Sequence, residues 1–157
     1  MGLKENLLRE QVKDLPLREA LTATEETLVT TALARMHEKR LGCVIVVDAG
    51  GKPLGMFTER TLIELLLRES VPWDTLRVRD CLDKEWYTVP STASVMQVLD
   101  LIRVKAVRFV CVVDEAGRAV GLTGQKGLSE YIADHFPRQV LVQRLGGKLG
   151  PESREGA

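Results

Sequence analysis

The sequence predicts an α+β protein made of two copies of one half-domain, and three observations carry that reading. One motif occurs twice, as CVIVVDAGGKPLGMFTERTL over 43–62 and FVCVVDEAGRAVGLTGQKGL over 109–128. Each copy is an apolar β-branched run closing on aspartate, a glycine-bearing turn, a short strand entering a glycine, and then a helix. The spacing is constant: Asp48 to Asp114, Gly51 to Gly117 and Gly55 to Gly121 share an offset of 66 residues. The same offset pairs Val12 with Val78, Asp14 with Asp80, Thr22 with Thr88, Val29 with Val95, Leu33 with Leu99, Lys39 with Lys105 and Leu62 with Leu128. About a quarter of the positions from Val12 to Ala133 match their partners, which marks an internal duplication. Finally, a repeat of roughly 60 residues is marginal as an independent folding unit. The copies are therefore expected to share a core.

Bulk composition narrows the function classes. The chain has 157 residues, of which 45% are apolar, enough for one ordinary domain or two intimately packed halves. Lysine plus arginine balance aspartate plus glutamate at 22 each. No global field then recruits nucleic acid or an anionic membrane, although local basic patches remain open. Cys43, Cys81 and Cys111 are odd in number, and two lie inside apolar runs, which suits buried thiols in a reducing compartment better than a disulfide framework. His37 and His135 are far apart and no metal-ligand spacing occurs, so no structural metal is expected. The start MGLKENLLRE lacks a signal-peptide core, and no run reaches the roughly 18 apolar residues of a membrane span. A cytoplasmic location is expected.

In chain order, Leu3, Leu7, Leu8 and Val12 recur at helical spacing, which predicts a short amphipathic helix covering the first repeat. Leu15-Pro16 breaks it, and Ala20 to Ala23 is a short extended piece. A helix follows from about Glu26 to Lys39, with Thr24 as N-cap, buried Leu28, Ala32, Leu33 and Met36, and Gly42 as its stop. Cys43 to Val47 is short, β-branched and without alternation, the pattern of a strand covered on both faces. Asp48 to Gly51 is a tight turn, and Lys52 to Phe57 returns antiparallel. Thr58 caps a helix through about Leu67, with Leu62, Ile63, Leu66 and Leu67 facing inward. Glu69 to Arg77 connects the copies. The plan then repeats: an extended piece at Trp86 to Val89, a helix from about Ser94 to Lys105, strands at Phe109 to Val113 and Ala119 to Thr123, and a helix over Gly127 to Phe136 closed by Pro137. The tail from Arg138 opens with QVLVQRL, suited to an edge strand or more helix, and is expected to be disordered from Gly146. The predicted divisions are 1–70 for the N-terminal helix and first repeat, 71–137 for the linker and second repeat, and 138–157 for the tail.

VIVVDAGGKPLGMFTERTL with its duplicate VCVVDEAGRAVGLTGQKGL closely resembles the cystathionine-β-synthase (CBS) domain family, whose tandem pairs are called Bateman modules. The resemblance runs from about Val12 to Phe136. It implies a β-α-β-β-α plan per copy, two copies packed sheet to sheet about a pseudo-twofold axis, and frequent homodimerisation. It also implies a regulatory, non-catalytic protein. Members often bind AMP, ADP, ATP, S-adenosylmethionine or sometimes NAD derivatives between the copies and relay that state to a partner.

The family signature after the second strand is G-hydrophobic-hydrophobic-(Ser/Thr)-x-x-Asp, in which the hydroxyl approaches phosphate or ribose and the aspartate holds the ribose. Here it reads Gly55-Met56-Phe57-Thr58-Glu59-Arg60-Thr61 and Gly121-Leu122-Thr123-Gly124-Gln125-Lys126-Gly127. Both ribose carboxylates are missing. A charged hydrogen-bond acceptor is worth about 1.5–3 kcal/mol, so the departure weighs against ordinary AMP-type binding. By resemblance, the better-equipped cleft combines Thr58 and Thr61 with Tyr87, Val107 and Arg108, the last toward phosphate. The other, built from Leu21, Leu41 and Gly42 with Gly124 and Gly127, is expected to have almost no side-chain donors. Each residue has a plainer reading too: Thr58 as an N-cap, Arg108 as a solvated residue at a helix end, Tyr87 as a packing residue.

Two functions follow. One is a sensor of an adenine nucleotide or related adenosyl metabolite that modulates a partner protein. The other is a ligand-free dimerisation or docking module with degenerate sites. No Ser/His/Asp, Cys/His or metal-ligand constellation supports an enzyme.

Overall fold

The computed structural model describes residues 2–137. Its first repeat holds strand β1 (Thr22–Ala23), helix α2 (Val29–Lys39), strands β2 (Cys43–Val47) and β3 (Pro53–Thr58) and helix α3 (Glu59–Leu66). The second holds β4 (Thr88–Pro90), α4 (Val95–Lys105), β5 (Phe109–Val113), β6 (Ala119–Gly124) and α5 (Gln125–His135). A leading helix α1 (Leu3–Arg9) and two 3₁₀ turns, Val12–Asp14 and Val78–Cys81, precede the repeats.

Each repeat forms a three-stranded sheet with the long β-branched strand in the middle. β1 runs parallel to β2, pairing Thr22 with Ile45, and β3 runs antiparallel, pairing Met56 with Ile45. β4, β5 and β6 repeat that register with Thr88, Cys111 and Leu122, down to a bulge at Val46/Val47 matched at Val112/Val113. The connecting turns work as their sequence suggests. Asp48 Oδ1 accepts from the N–H groups of Gly50 and Lys52 at 2.8 and 2.9 Å, while Gly51 takes φ 82°. Asp114 and Gly117 do the same in the second copy.

The central strands are buried on both faces. Val44 and Val46 point with Phe57 into a core closed by Val29, Ala32, Met36 and Leu65. Val110 and Val112 point into a core closed by Val95, Val98, Leu128 and Tyr131. The opposite faces meet in a seam of Cys43, Ile45, Met56, Cys111 and Leu122. All three cysteines are buried thiols.

The cores are completed crosswise. Leu76, Val78 and Cys81, which precede the second repeat, fill the first core. Leu7, Val12 and Leu15, which precede the first repeat, fill the second. Matching hydrogen bonds fix the exchange: Val12 N–H to the Ala93 carbonyl at 2.8 Å, and Val78 N–H to the Thr27 carbonyl at 2.9 Å. The expectation that the N-terminal helix covers the first repeat is therefore corrected, since α1 lies on α4. Its helix also stops at Arg9, with Val12 in the 3₁₀ turn that follows.

Three element readings change as well. α2 starts at Val29 with Leu28 as N-cap, because Thr24 to Thr27 close a separate turn through Thr27 N–H and the Thr24 carbonyl at 3.0 Å. It ends on Arg40 in the left-handed conformation at φ 54°, not on Gly42, and Ala106 repeats this at the end of α4. In α3, Thr61 and Leu65 face inward, while Ile63, Leu66 and Leu67 are 59, 64 and 82% exposed. Five apolar residues in six positions leave the helical phase open in sequence. The Thr58 cap, fixing the helix start at Glu59, sets it. α5 begins at Gln125, two residues before the expected start. Expectations for the tail from Arg138 lie outside the described residues.

Candidate functional site

The seam opens into two clefts, built from equivalent residues of the two repeats and unlike in size and charge. The narrow one, about 50 Å³, is lined by Thr58, Glu59, Asp83, Glu85, Val107 and Arg108 among others. The broad one, about 870 Å³, is lined by Arg18, Lys39, Arg40, Leu41, Gly42, Phe109, Gly124, Lys126 and Gly127 among others. Nucleotide-sized ligands occupy clefts of about 300–1,000 Å³. The narrow cleft does not have that room as it stands.

The 66-residue offset explains the difference. Thr58, Thr61 and Arg108 in one half correspond to Gly124, Gly127 and Gly42 in the other, so three side chains vanish from the broad cleft's wall. At Gly42 a Cβ would stand 2.5 Å from Phe109 Cζ, and at Gly124 only 1.9 Å from the Arg108 carbonyl oxygen. Close approach, across the seam at Gly42 and to the neighbouring strand of its own sheet at Gly124, and not helix termination, requires those two glycines.

Of the expected site residues, the structure brings Thr58, Val107 and Arg108 together at the narrow cleft. Thr58 caps α3, its Oγ1 accepting from Thr61 N–H at 3.4 Å, and donates to Asp83 Oδ2 at 2.8 Å. Thr61 is buried behind it, its own hydroxyl 3.4 Å from Thr58 Oγ1. Tyr87 is not among the cleft's lining residues. It packs against the second core, with Lys105 Nζ 6.0 Å from its ring centroid. Arg108 bridges Glu59 at 3.0 Å, lies over the Phe109 ring and lines both clefts.

Asp83 is the residue the sequence reading missed. Its N–H donates to the Met56 carbonyl at 2.7 Å, while on the other side Arg18 N–H donates to the equivalent Leu122 carbonyl at 2.9 Å. One backbone position thus presents a carboxylate to the narrow cleft and a guanidinium to the broad one. The two residues are 65 apart, one short of the repeat offset, so pairing the copies at constant spacing does not align them.

The expectation that the broad cleft has almost no side-chain donors is corrected by Arg18, Lys39 and Arg40, which reach it from outside the signature motif, and by Lys126, at a variable position within it. Arg18 is paired with Glu130 at 2.7 Å and Arg108 with Glu59. Glu19 and Glu59 are the acidic members of this lining, so positive charge predominates. Among the described residues there is no group of three or more His, Cys, Asp or Glu suited to a metal ion, and no helix is long and apolar enough to cross a membrane.

Comparison with known proteins agrees with this architecture. The family model of the CBS domain matches residues 12–68 and again 78–134. An uncharacterized protein of Methanopyrus kandleri is 24% identical over 111 residues, covering 71% of this chain and 57% of the relative. The chain spans about half, or less, of the length of the curated relatives it matches. The crystal structure of a CBS-domain containing protein from Agrobacterium tumefaciens is similar at 25% identity and a TM-score of 0.67, over 76% of this chain and 91% of that one. A CBS domain pair solved in complex with 5′-methylthioadenosine and S-adenosyl-L-methionine shares the fold at 19% identity and a TM-score of 0.69, over 80% of this chain and 97% of that one. With both repeats matched and the duplicated sheets aligned on solved pairs of the same kind, the chain belongs to the CBS domain family.

Proposed function

We propose that this domain pair is a regulatory, non-catalytic cytoplasmic module that takes an adenine nucleotide or related adenosyl metabolite into its seam and thereby modulates a partner protein. The observation that carries the reading is the broad cleft: about 870 Å³, with Leu41, Phe109 and Leu122 as apolar surface for a base and cationic side chains around them. The related pair solved with two adenosyl ligands supports the ligand class. Among the residues expected from the family resemblance, Arg108 is a ligand contact in this reading because it lines both clefts. Thr58 and Val107 line the narrow cleft, which at about 50 Å³ admits no nucleotide, while Thr61 supports Thr58 from behind and Tyr87 packs on the second core, so none of these four is a ligand contact in this reading.

Thermal unfolding with AMP, ADP, ATP and S-adenosylmethionine tests this. A ligand at a hundredfold excess over its Kd adds about 2.7 kcal/mol of stability, a rise of about 5–10 °C for a chain of this size. At least one member of the panel is expected to give it. No shift across the panel rejects the reading.

The exposed Ile63, Leu66 and Leu67 on α3 favour a second reading, a docking or homodimerisation module with vacated sites. Sedimentation equilibrium of Leu66→Glu/Leu67→Glu decides it. A dimer that becomes monomeric supports its homodimer form, and a wild type already monomeric at micromolar concentration removes that form.

A further inference from the structure

Resting on the broad cleft as the ligand site, we infer that this cleft selects its ligand by a chain of phosphates seated on the first turn of α5, and not by the ribose. The ribose-holding carboxylates of the family signature are Thr61 and Gly127 in this chain; Thr61 is buried behind Thr58 at the narrow cleft, and Gly127 at this one has no side chain to accept from the sugar hydroxyls. What replaces them is anion-binding equipment of four independent kinds.

The first is an open helix end. α5 has 11 residues and its N-cap is Gly124, with no side-chain cap, whereas Thr58 closes the equivalent end of α3. Of the orphan N–H groups in that first turn, Gln125 gives its own to the Arg108 carbonyl at 3.2 Å. Those of Lys126 and Gly127 remain, both on cleft-lining residues. Such a turn combines unpaired donors with the positive end of the helix dipole.

The second is Thr123. It lines the same cleft and is 4% exposed, yet its Oγ1 has no hydrogen-bond partner among the described residues. That oxygen lies 3.0 Å from where a Cβ on Gly127 would stand, so it is directed at the α5 turn. A buried hydroxyl left unpaired is costly in the empty protein. A ligand oxygen reaching this turn would satisfy it.

The third is charge. Lys39, Arg40 and Lys126 line the cleft and form no ion pair among the described residues, in addition to the paired Arg18 and Arg108. The fourth is that Glu59 already stands on Arg108 as an anion would. A phosphate chain can displace it, whereas a sulfonium-bearing ligand such as S-adenosylmethionine brings positive charge into a positive field.

The test uses the whole chain and four probes in calorimetric titration: ATP, AMP, S-adenosylmethionine and inorganic tripolyphosphate. ATP is expected to bind about tenfold or more tighter than AMP, with tripolyphosphate competing and the affinity falling steeply with salt. Lys126→Gln and Arg40→Asn, both at exposed positions, should each weaken ATP about three- to tenfold, while Lys13→Gln, outside the cleft, should not. Thr123→Val should weaken tripolyphosphate without lowering the melting temperature of the empty protein.

AMP or S-adenosylmethionine binding as tightly as ATP overturns this inference and leaves the adenosyl-sensor reading standing. Tripolyphosphate binding as well as ATP, with no gain from the nucleoside, sustains the phosphate site and removes the adenosyl reading. Silence from all four probes, or equal losses from Lys13→Gln and Lys126→Gln, overturns the phosphate site.

Discussion

The two clefts come from one half-domain used twice, and they have diverged into opposites. Where the first repeat keeps Thr58 over Thr61, the second has Gly124 and Gly127, and where the second brings Arg108, the first has Gly42. The entrance residue is Asp83 on one side and Arg18 on the other. The result is a narrow slot whose hydroxyl is already held by the protein's own carboxylate, opposite a roomy basic cleft whose hydroxyl has no partner among the described residues and whose helix end has no side-chain cap. Duplication preserves the strands and cores because those positions must pack. It leaves the cleft-lining residues free to specialise, since they border an opening and do not hold the strands in register. One pocket can then become framework while its twin carries the binding.

The largest expected effect breaks the comparison at its tightest point. Gly124→Ala would place a Cβ 1.9 Å from the Arg108 carbonyl oxygen, a backbone atom that a rotamer change cannot relieve. Overpacking of this kind costs about 3 kcal/mol, which corresponds to a fall of about 6–12 °C in melting temperature. The equivalent residue in the first repeat is already a threonine, so the penalty belongs to the second repeat alone. A melting temperature within a degree of wild type would show that the approach of β6 to the start of β5 is looser than the geometry states.

Next in size is the contrast between two hydroxyls. Thr58→Ala removes a helix cap and strips Asp83 of its donor, an expected loss of about 1–2 kcal/mol in urea unfolding. Thr123→Val removes a hydroxyl that has no partner, so stability should stay within about 0.5 kcal/mol of wild type or rise. Equal losses would mean that the two clefts are not in opposite states.

Most of the fold was legible because it rests on patterns that recur. The β-branched runs, the Asp-x-x-Gly turns and the constant offset located both sheets, and the short length of each repeat required a shared core. The crosswise exchange was not legible: Leu7, Val12, Leu76 and Val78 advertise burial without saying in which copy. The phase of α3 was hidden by its excess of apolar residues. The site was half legible. Of the residues that the family resemblance brings together, Thr58, Val107 and Arg108 do meet at the narrow cleft, while Thr61 lies behind it and Tyr87 packs on the second core. The character of the clefts was set by Asp83 and Arg18, which stand outside the signature and out of register with the repeat, and by Lys39 and Arg40, which read as ordinary helix-end charges.

The smallest effect addresses the part of the molecule in which the halves should behave alike. Cys43 from the first repeat and Cys111 from the second meet in the seam between the sheets. Burial pushes the Cys43 thiol up from its ordinary 9.0 to about 12, with smaller contributions from Cys111 and Glu59, and burial pushes Cys111 up to about 12 as well. The sign follows from proton linkage. Below pH 9 both states hold the proton and the thiols contribute no slope. Above it the unfolded chain ionises while the folded protein does not, so stability falls as pH rises, until the folded thiols also ionise near 12. Each thiol should contribute a loss of about 1 kcal/mol between pH 9 and 10. Urea unfolding of wild type, Cys43→Ala and Cys111→Ala at pH 8, 9 and 10 reads it directly. Each variant starts lower because of the cavity it makes, but its slope should be shallower than wild type by the same amount for either cysteine. A slope that changes for only one of them would carry the asymmetry of the clefts into the sheets themselves, and the seam would no longer be the common frame on which the two halves diverged.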